Sequence, residues 1–368
     1  MTWIGMYRTA AVVVFITAAV ACSNDDGGQS QPADNFNRKA MLSFTADEII
    51  IPAFSNYVST AQDFDQAAQN FKNDPSPVNL DQLQLDFQLA YLAWQELAVF
   101  DIGPAEARTL RNFSNVFPCD TSDLKQAILA ANSNLSLPST YDIQGWPAAD
   151  YLLHGLANDQ QAIIAFYQAN PDYATYLQSL SARLLSLAQE VLNEWTNSYR
   201  EAFVNNDGGT ATSAFNKLAN DYVFHFEKEL RAGKIGIPAG VFSGTTFPNR
   251  VEAFYSDSLS KALFLHCLNF QEKVFRGVSY DGNSTGPSMQ SYLEELGQNG
   301  LAQNILDQFS EARQAAQDLN PNLHLQVKNN NILMLQVYDE LQVMIPWLKV
   351  DMLQAFNVSV DYIDADGD

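Results

Sequence analysis

Apolar residues recur at three- and four-residue spacing along almost the whole chain, and no set of short alternating segments joined by hairpin turns interrupts them. The pattern predicts an all-α protein. A first helix over about 36–71 bends at Pro52, after "DEIII", and stops at "NDPSP". A second, over about 79–99, places Leu83, Phe87, Tyr91, Trp94 and Leu97 on one face and ends where Gly103 and Pro104 stop it. From 108 to 142 the pattern is irregular, with one short helix near 122–131 opened by "DTSD". Pro147, whose missing N–H costs nothing in a first turn, then opens a short helix over about 146–154 after the tight entry of Gly145. Long helices follow over about 172–203, 212–232, 256–275, 300–319 and 322–356, the last bent at Pro346. The expected organisation is an N-terminal helical domain, 36–170, and a C-terminal domain, 171–368, built as an up-and-down four-helix bundle. The tail "VSVDYIDADGD" is expected as a short strand or as an extended segment laid over the bundle.

The first residues break the pattern. One positive charge (Arg8), an apolar run over 9–21 and small residues before Cys22 read as a secretory signal, too short to span a bilayer. Its end, "AVAC", resembles a bacterial lipobox, which makes Cys22 the acylated first mature residue and the lipid bilayer a partner. The Gly-, Ser-, Asp- and Asn-rich segment 22–35 is a tether with almost no apolar residue to bury. Its acidic run resembles the surface-export signal of Bacteroidota lipoproteins. An outer-membrane lipoprotein exposed on the cell surface is therefore expected, with the periplasmic face as the alternative.

Composition narrows the partners. The 368 residues carry a formal charge of −22, which argues against nucleic acid and anionic lipid and accommodates cations or basic ligands. Of the two remaining cysteines, Cys119 sits in a loop and Cys267 in a helical core pattern. A disulfide is permitted outside the cytoplasm, but nothing in the spacing brings the two together.

HExxH, paired CxxC and Walker motifs are all absent, which removes ordinary zincin and P-loop chemistry. The four histidines lie far apart, so any metal site must be assembled by the fold. His225 and Glu229 share a helical face at i, i+4, where they either chelate a cation or form an ordinary surface pair. Asp150 and His154 repeat that spacing, and the helix start at Gly145 can hold an anion, yet Tyr151, Leu152 and Leu153 could equally be packing residues. His266 reads as a core histidine and His324 as an exposed first-turn residue without a partner. "RAGKIGIPAG" reads as a glycine-rich turn carrying Lys234. "DADGD" looks like the opening of a calcium loop, but no closing glutamate has room to follow, which leaves a solvated acidic terminus.

Several separated pieces, "IIIPAFSNY", "AYLAWQELAVFDIGP", "GWPAADYLLHGL", "LANDYVFHFEKELRAGKIGIPAG" and "VEAFYSDSLS", occur in the order seen in imelysin-like proteins, also classed as M75 peptidases. The resemblance spans roughly 45–368. It implies two helical domains with a site in the cleft between them, and an association with iron uptake. The family's signature, Gly-x-His-x-x-Glu, falls on 145–150, where Pro147 stands for the histidine and Asp150 for the glutamate. His154, one turn further, lies about 10 Å along the axis from position 147 and is no simple substitute. The implied function is a binding protein in iron or haem acquisition. Its cleft would be lined by Gly145, Trp146, Pro147, Asp150, Glu96, Asp101, Lys234, Glu252 and Tyr255, with Asp150 and His154 as candidate ligands for iron or another divalent cation. The alternatives are a metal-dependent M75-type peptidase without an identified catalytic residue, and an interaction module for an outer-membrane transporter. Iron, haem or a peptide remain open as ligand.

Overall fold

Eight helices carry the architecture of the computed structural model, which describes residues 34–131, 134–256 and 258–362. The signal segment, Cys22 and "DADGD" lie outside the described residues. Helix α1 comprises Arg38–Phe44, a π-helical stretch Thr45–Ile50 and Ile51–Asn73. Pro52 cannot donate to the turn before it. The Glu48 carbonyl is taken instead by the Tyr280 N–H at 2.7 Å, so a distant loop completes the turn that proline opens.

Helix α2, Pro77–Leu97, buries all five residues of its predicted face against α1. Helix α3, Gly145–His154, crosses α2 and α4; α4 is Pro171–Glu194, a π-helical turn Trp195–Tyr199 and Arg200–Asn205. Although it follows residue 170, α4 runs along α1 and so packs with the first set of helices. Short helices at Gln160–Ala169 and Met289–Glu295 were not expected; the side chains of Asp159 and Ser288 cap them, a signal legible in "NDQQ" and "PSMQS".

The second set is a four-membered ring. Helix α5 is Ala214–Phe224, a π-helical stretch His225–Gly236 and Ile237–Ala239; α6 is Ser260–Arg276; α7 is Asn299–Ala315; α8 is Asn331–Pro346 with Trp347–Met352 and Leu353–Ala355. Each packs on the next and α8 closes back on α5, while α6 also reaches α2 and joins the two sets.

Two segments depart from the expected pattern. "RAGKIGIPAG" is a helix, not a turn: it keeps winding in π geometry, and Gly236 lets the Tyr338 ring approach to where a Cβ would stand 2.8 Å away. The predicted helix over 322–356 is broken at Asn330, whose φ of −155° and ψ of 79° leave the helical region, so Leu323–Asn329 is a separate helix. The described residues contain no strand, only an isolated bridge between Val278 and Thr285. The tail lies extended on α5, held by Asn220 Nδ2 to the Ser359 carbonyl at 3.0 Å and by Lys217 to Asp361 at 3.0 Å.

Candidate functional site

The signature stretch begins on a residue that only glycine can be. Gly145 has φ +73°, and a Cβ there would stand 2.3 Å from the Ser114 carbonyl oxygen. Trp146, expected in the cleft, is instead the centre of the first core: it stacks on Tyr91 at 5.4 Å and meets Tyr57, Phe64 and Phe87. A large indole next to a buried turn has nowhere else to go. Pro147 and Asp150 do face a cavity, of about 230 Å³, together with Phe117, Cys119, Thr121 and Tyr255.

Asp150 is buried, and both its oxygens are occupied. Oδ2 accepts the Tyr255 N–H at 2.8 Å and Oδ1 accepts the Ser256 hydroxyl at 2.5 Å. Burial pushes its pKa up to about 7 against the opposing pull of these bonds. The carboxyl therefore works as a staple between α3 and the segment 251–256.

Behind it lies a buried ion pair. The Lys234 ammonium, 4% exposed, bonds Glu252, 2% exposed, and the Gln95 side-chain oxygen at 2.8 Å. The other Glu252 oxygen accepts from Asn115 at 2.8 Å and from Gln95 at 3.1 Å, and the Tyr91 hydroxyl donates to Asn115 at 2.8 Å. Burial, then the charges of Glu252 and Asp150, hold the Tyr91 hydroxyl well above its ordinary pKa. Of the residues expected in one cleft, Lys234 meets Glu252 and Asp150 meets the Tyr255 backbone, with the Glu252 charge close enough to act on Asp150. Gln95, Asn115 and Ser256 were missed, although "WQELAVF" sets a lone glutamine beside Trp94 in an apolar run.

Other expected members go elsewhere. Glu96, one residue from Gln95, points around the helix to His266 at 2.9 Å and the Tyr280 hydroxyl at 2.5 Å. His266, expected in the core, has 38% of its side chain exposed. Asp101 lies 3.6 Å from Arg111, and its N–H donates to Asp221 at 2.6 Å, beside a separate cavity of about 190 Å³. Burial raises Asp221 to about 6. His154 turns to α2, where Nδ1 meets the Gln84 amide at 3.4 Å and the ring meets Phe87. One turn of helix carries the two side chains to different neighbours, Asp150 to Tyr255 and Ser256 and His154 to Gln84 and Phe87. His225 and Glu229 do not pair either: His225 is buried on Gln271 at 2.7 Å, and burial, then the nearby Arg111 and Lys234 charges, hold it well below its usual pKa. His324 has a partner after all, the Pro248 carbonyl at 3.0 Å. Cys119 and Cys267 are both free thiols.

Among the described residues no three His, Cys, Asp or Glu side chains converge as a metal site would require. The signature position itself does not fit a metal: Pro147 offers no donor, and Asp150 has no oxygen without a hydrogen bond.

Fold and site together define an all-helical protein in which two helix sets are tied by a buried polar lock beneath surface cavities. The sequence pattern of imelysin, peptidase family M75, matches residues 50–339, and the chain belongs to that family. It is 23% identical over 280 residues to iron-regulated protein A of Synechococcus elongatus, covering 73% of this chain and 72% of that one. Among solved structures it is similar to a protein described as an iron-regulated protein A precursor from Parabacteroides distasonis ATCC 8503, with TM-score 0.73 and 16% identity over 89% of this chain and 97% of that one. It is also similar to an imelysin-like protein from Psychrobacter arcticum 273-4, with TM-score 0.69 and 16% identity over 88% of this chain and 97% of that one.

Proposed function

We propose that the protein is a non-catalytic binding member of its family, working in iron or haem acquisition as an outer-membrane lipoprotein anchored through Cys22. The observation that carries this reading is the state of Asp150. A hydrolytic metal needs about three protein ligands and an open position. At the signature, proline has replaced one ligand, and the remaining carboxylate is spent on the Tyr255 N–H and the Ser256 hydroxyl. What the stretch retains is a shaped wall, with the cavity of about 230 Å³ between residues 117–121 and 249–255 as the place for a ligand. The name of the Synechococcus relative supports the link to iron.

Calorimetric titration of the mature protein with ferric iron, zinc, haem and a peptide mixture tests the reading. Expected is saturable binding of an iron-bearing ligand, no effect of Asp150→Asn on retention of bare zinc or iron, and no peptide cleavage above a chelator-treated control. Chelator-sensitive cleavage abolished by Asp150→Asn would establish the peptidase instead. Protease treatment of intact cells should release the protein; complete protection would place it on the periplasmic face.

A further inference from the structure

Beside the cavity at Asp150 runs a second groove of about 260 Å³ that shares Phe117 with it. Phe117 and Ile237 supply apolar surface, and Asn112, Lys228, Glu229 and Arg250 supply the polar groups. Charge here runs against the protein as a whole, whose net charge is −22. Arg250 is exposed and forms no ion pair among the described residues, its guanidinium resting 4.8 Å from the Phe247 ring centre. The Lys228 ammonium is shielded from water and has no hydrogen-bond acceptor. Its ion-pair partner, Glu227 at 3.3 Å, already accepts from the Tyr362 hydroxyl at 2.9 Å and pairs with Lys349 at 3.0 Å. An ammonium so placed projects its field through a wall of low dielectric. Glu229 is the one acid of the lining, and burial raises its pKa.

We propose that this groove binds a small carboxylate ligand. Its carboxylate oxygens would lie on the Arg250 guanidinium and the Asn112 amide, its apolar part on Phe117 and Ile237, with Lys228 attracting the anion from behind the wall. Resting on the iron-acquisition reading, the ligand is an anionic chelate: the metal arrives with its own donors, so the protein presents cations to the chelator rather than carboxylates to the metal. This accounts for a family member whose signature position holds no metal-ligand set.

Citrate is the probe, titrated iron-free and as ferric citrate into the mature protein. Both forms are expected to bind, ferric citrate the more tightly, and both more weakly as salt rises. Arg250→Ala should weaken binding roughly tenfold, as loss of a charge-assisted bond does. Glu229→Gln should tighten it roughly threefold by removing a like charge from the lining. The opposite signs matter, because a folding defect weakens binding in both variants. No binding of either form, or unchanged affinity in both variants, overturns the proposal, and weaker binding by Glu229→Gln overturns it in favour of a cationic ligand. Haem binding without citrate binding removes the carboxylate groove and leaves the proposed function standing. Equal binding of iron-free and iron-loaded citrate keeps the groove and removes the iron reading.

Discussion

Substituting Lys234 by methionine tests the polar lock directly. The change keeps most of the side-chain volume and removes the ammonium, leaving Glu252 at 2% exposure with only the Gln95 and Asn115 amides as donors. Breaking a buried pair from one side costs about 3–5 kcal/mol, because the surviving charge stays out of water. The two amide bonds to Glu252 persist, which sets the expectation at the lower end, about 3 kcal/mol. The double variant Lys234→Met with Glu252→Gln should recover most of that loss. Its new amide can donate to the Gln95 oxygen that Lys234 vacates, while its carbonyl still accepts from Gln95 and Asn115. A double-mutant cycle by urea unfolding, with m-values unchanged across the four proteins, should therefore give a coupling of about 2 kcal/mol or more. A cost below about 1 kcal/mol for Lys234→Met, or a double variant as unstable as the sum of the singles, would refute the lock as a coupled buried unit.

Three further outcomes follow from the same geometry. Burial lifts Asp150 to about 7, so the folded state holds a proton that the unfolded chain, with its carboxyl near pKa 3.9, has already lost; this stabilisation is present at low pH and disappears as pH rises from about 4 to 7. Relative to Asp150→Asn, the wild type should lose up to roughly 4 kcal/mol between pH 4 and pH 8, and a difference that is flat or grows with pH would contradict the assignment. Gly145→Ala meets both a left-handed backbone and the Ser114 carbonyl and should cost more than about 2 kcal/mol in chemical unfolding, whereas Gly208→Ala, with open space around it, should stay within about 0.5 kcal/mol. In a Cys22→Ser protein, Cys119 and Cys267 should titrate as two thiols, slowly while folded because burial pushes both up to about 12 and quickly in denaturant; a mass two hydrogens lighter under non-reducing conditions would reveal a disulfide.

The sequence by itself determined the helical class and most helix positions, because the apolar stripe that forms each helix is also the stripe it buries: Leu83, Phe87, Tyr91, Trp94 and Leu97 are read and buried as one face. It also marked the signature stretch and joined Lys234 with Glu252 and Asp150 in one expected cleft. The tertiary structure decided which polar groups meet. Gln95 and Glu96 are neighbours in sequence, yet about 100° apart around the helix, so one enters the lock and the other leaves for His266 and Tyr280. Trp146 and His154 were likewise candidates by chemistry and became packing and α2 contacts by position. The π-helical winding over His225–Gly236 turned an apparent glycine turn into helix and carried Lys234 inward to Glu252. Periodicity is local and survives in one dimension; the pairing of buried charges depends on which faces of distant helices are brought together, and only the packed chain fixes that.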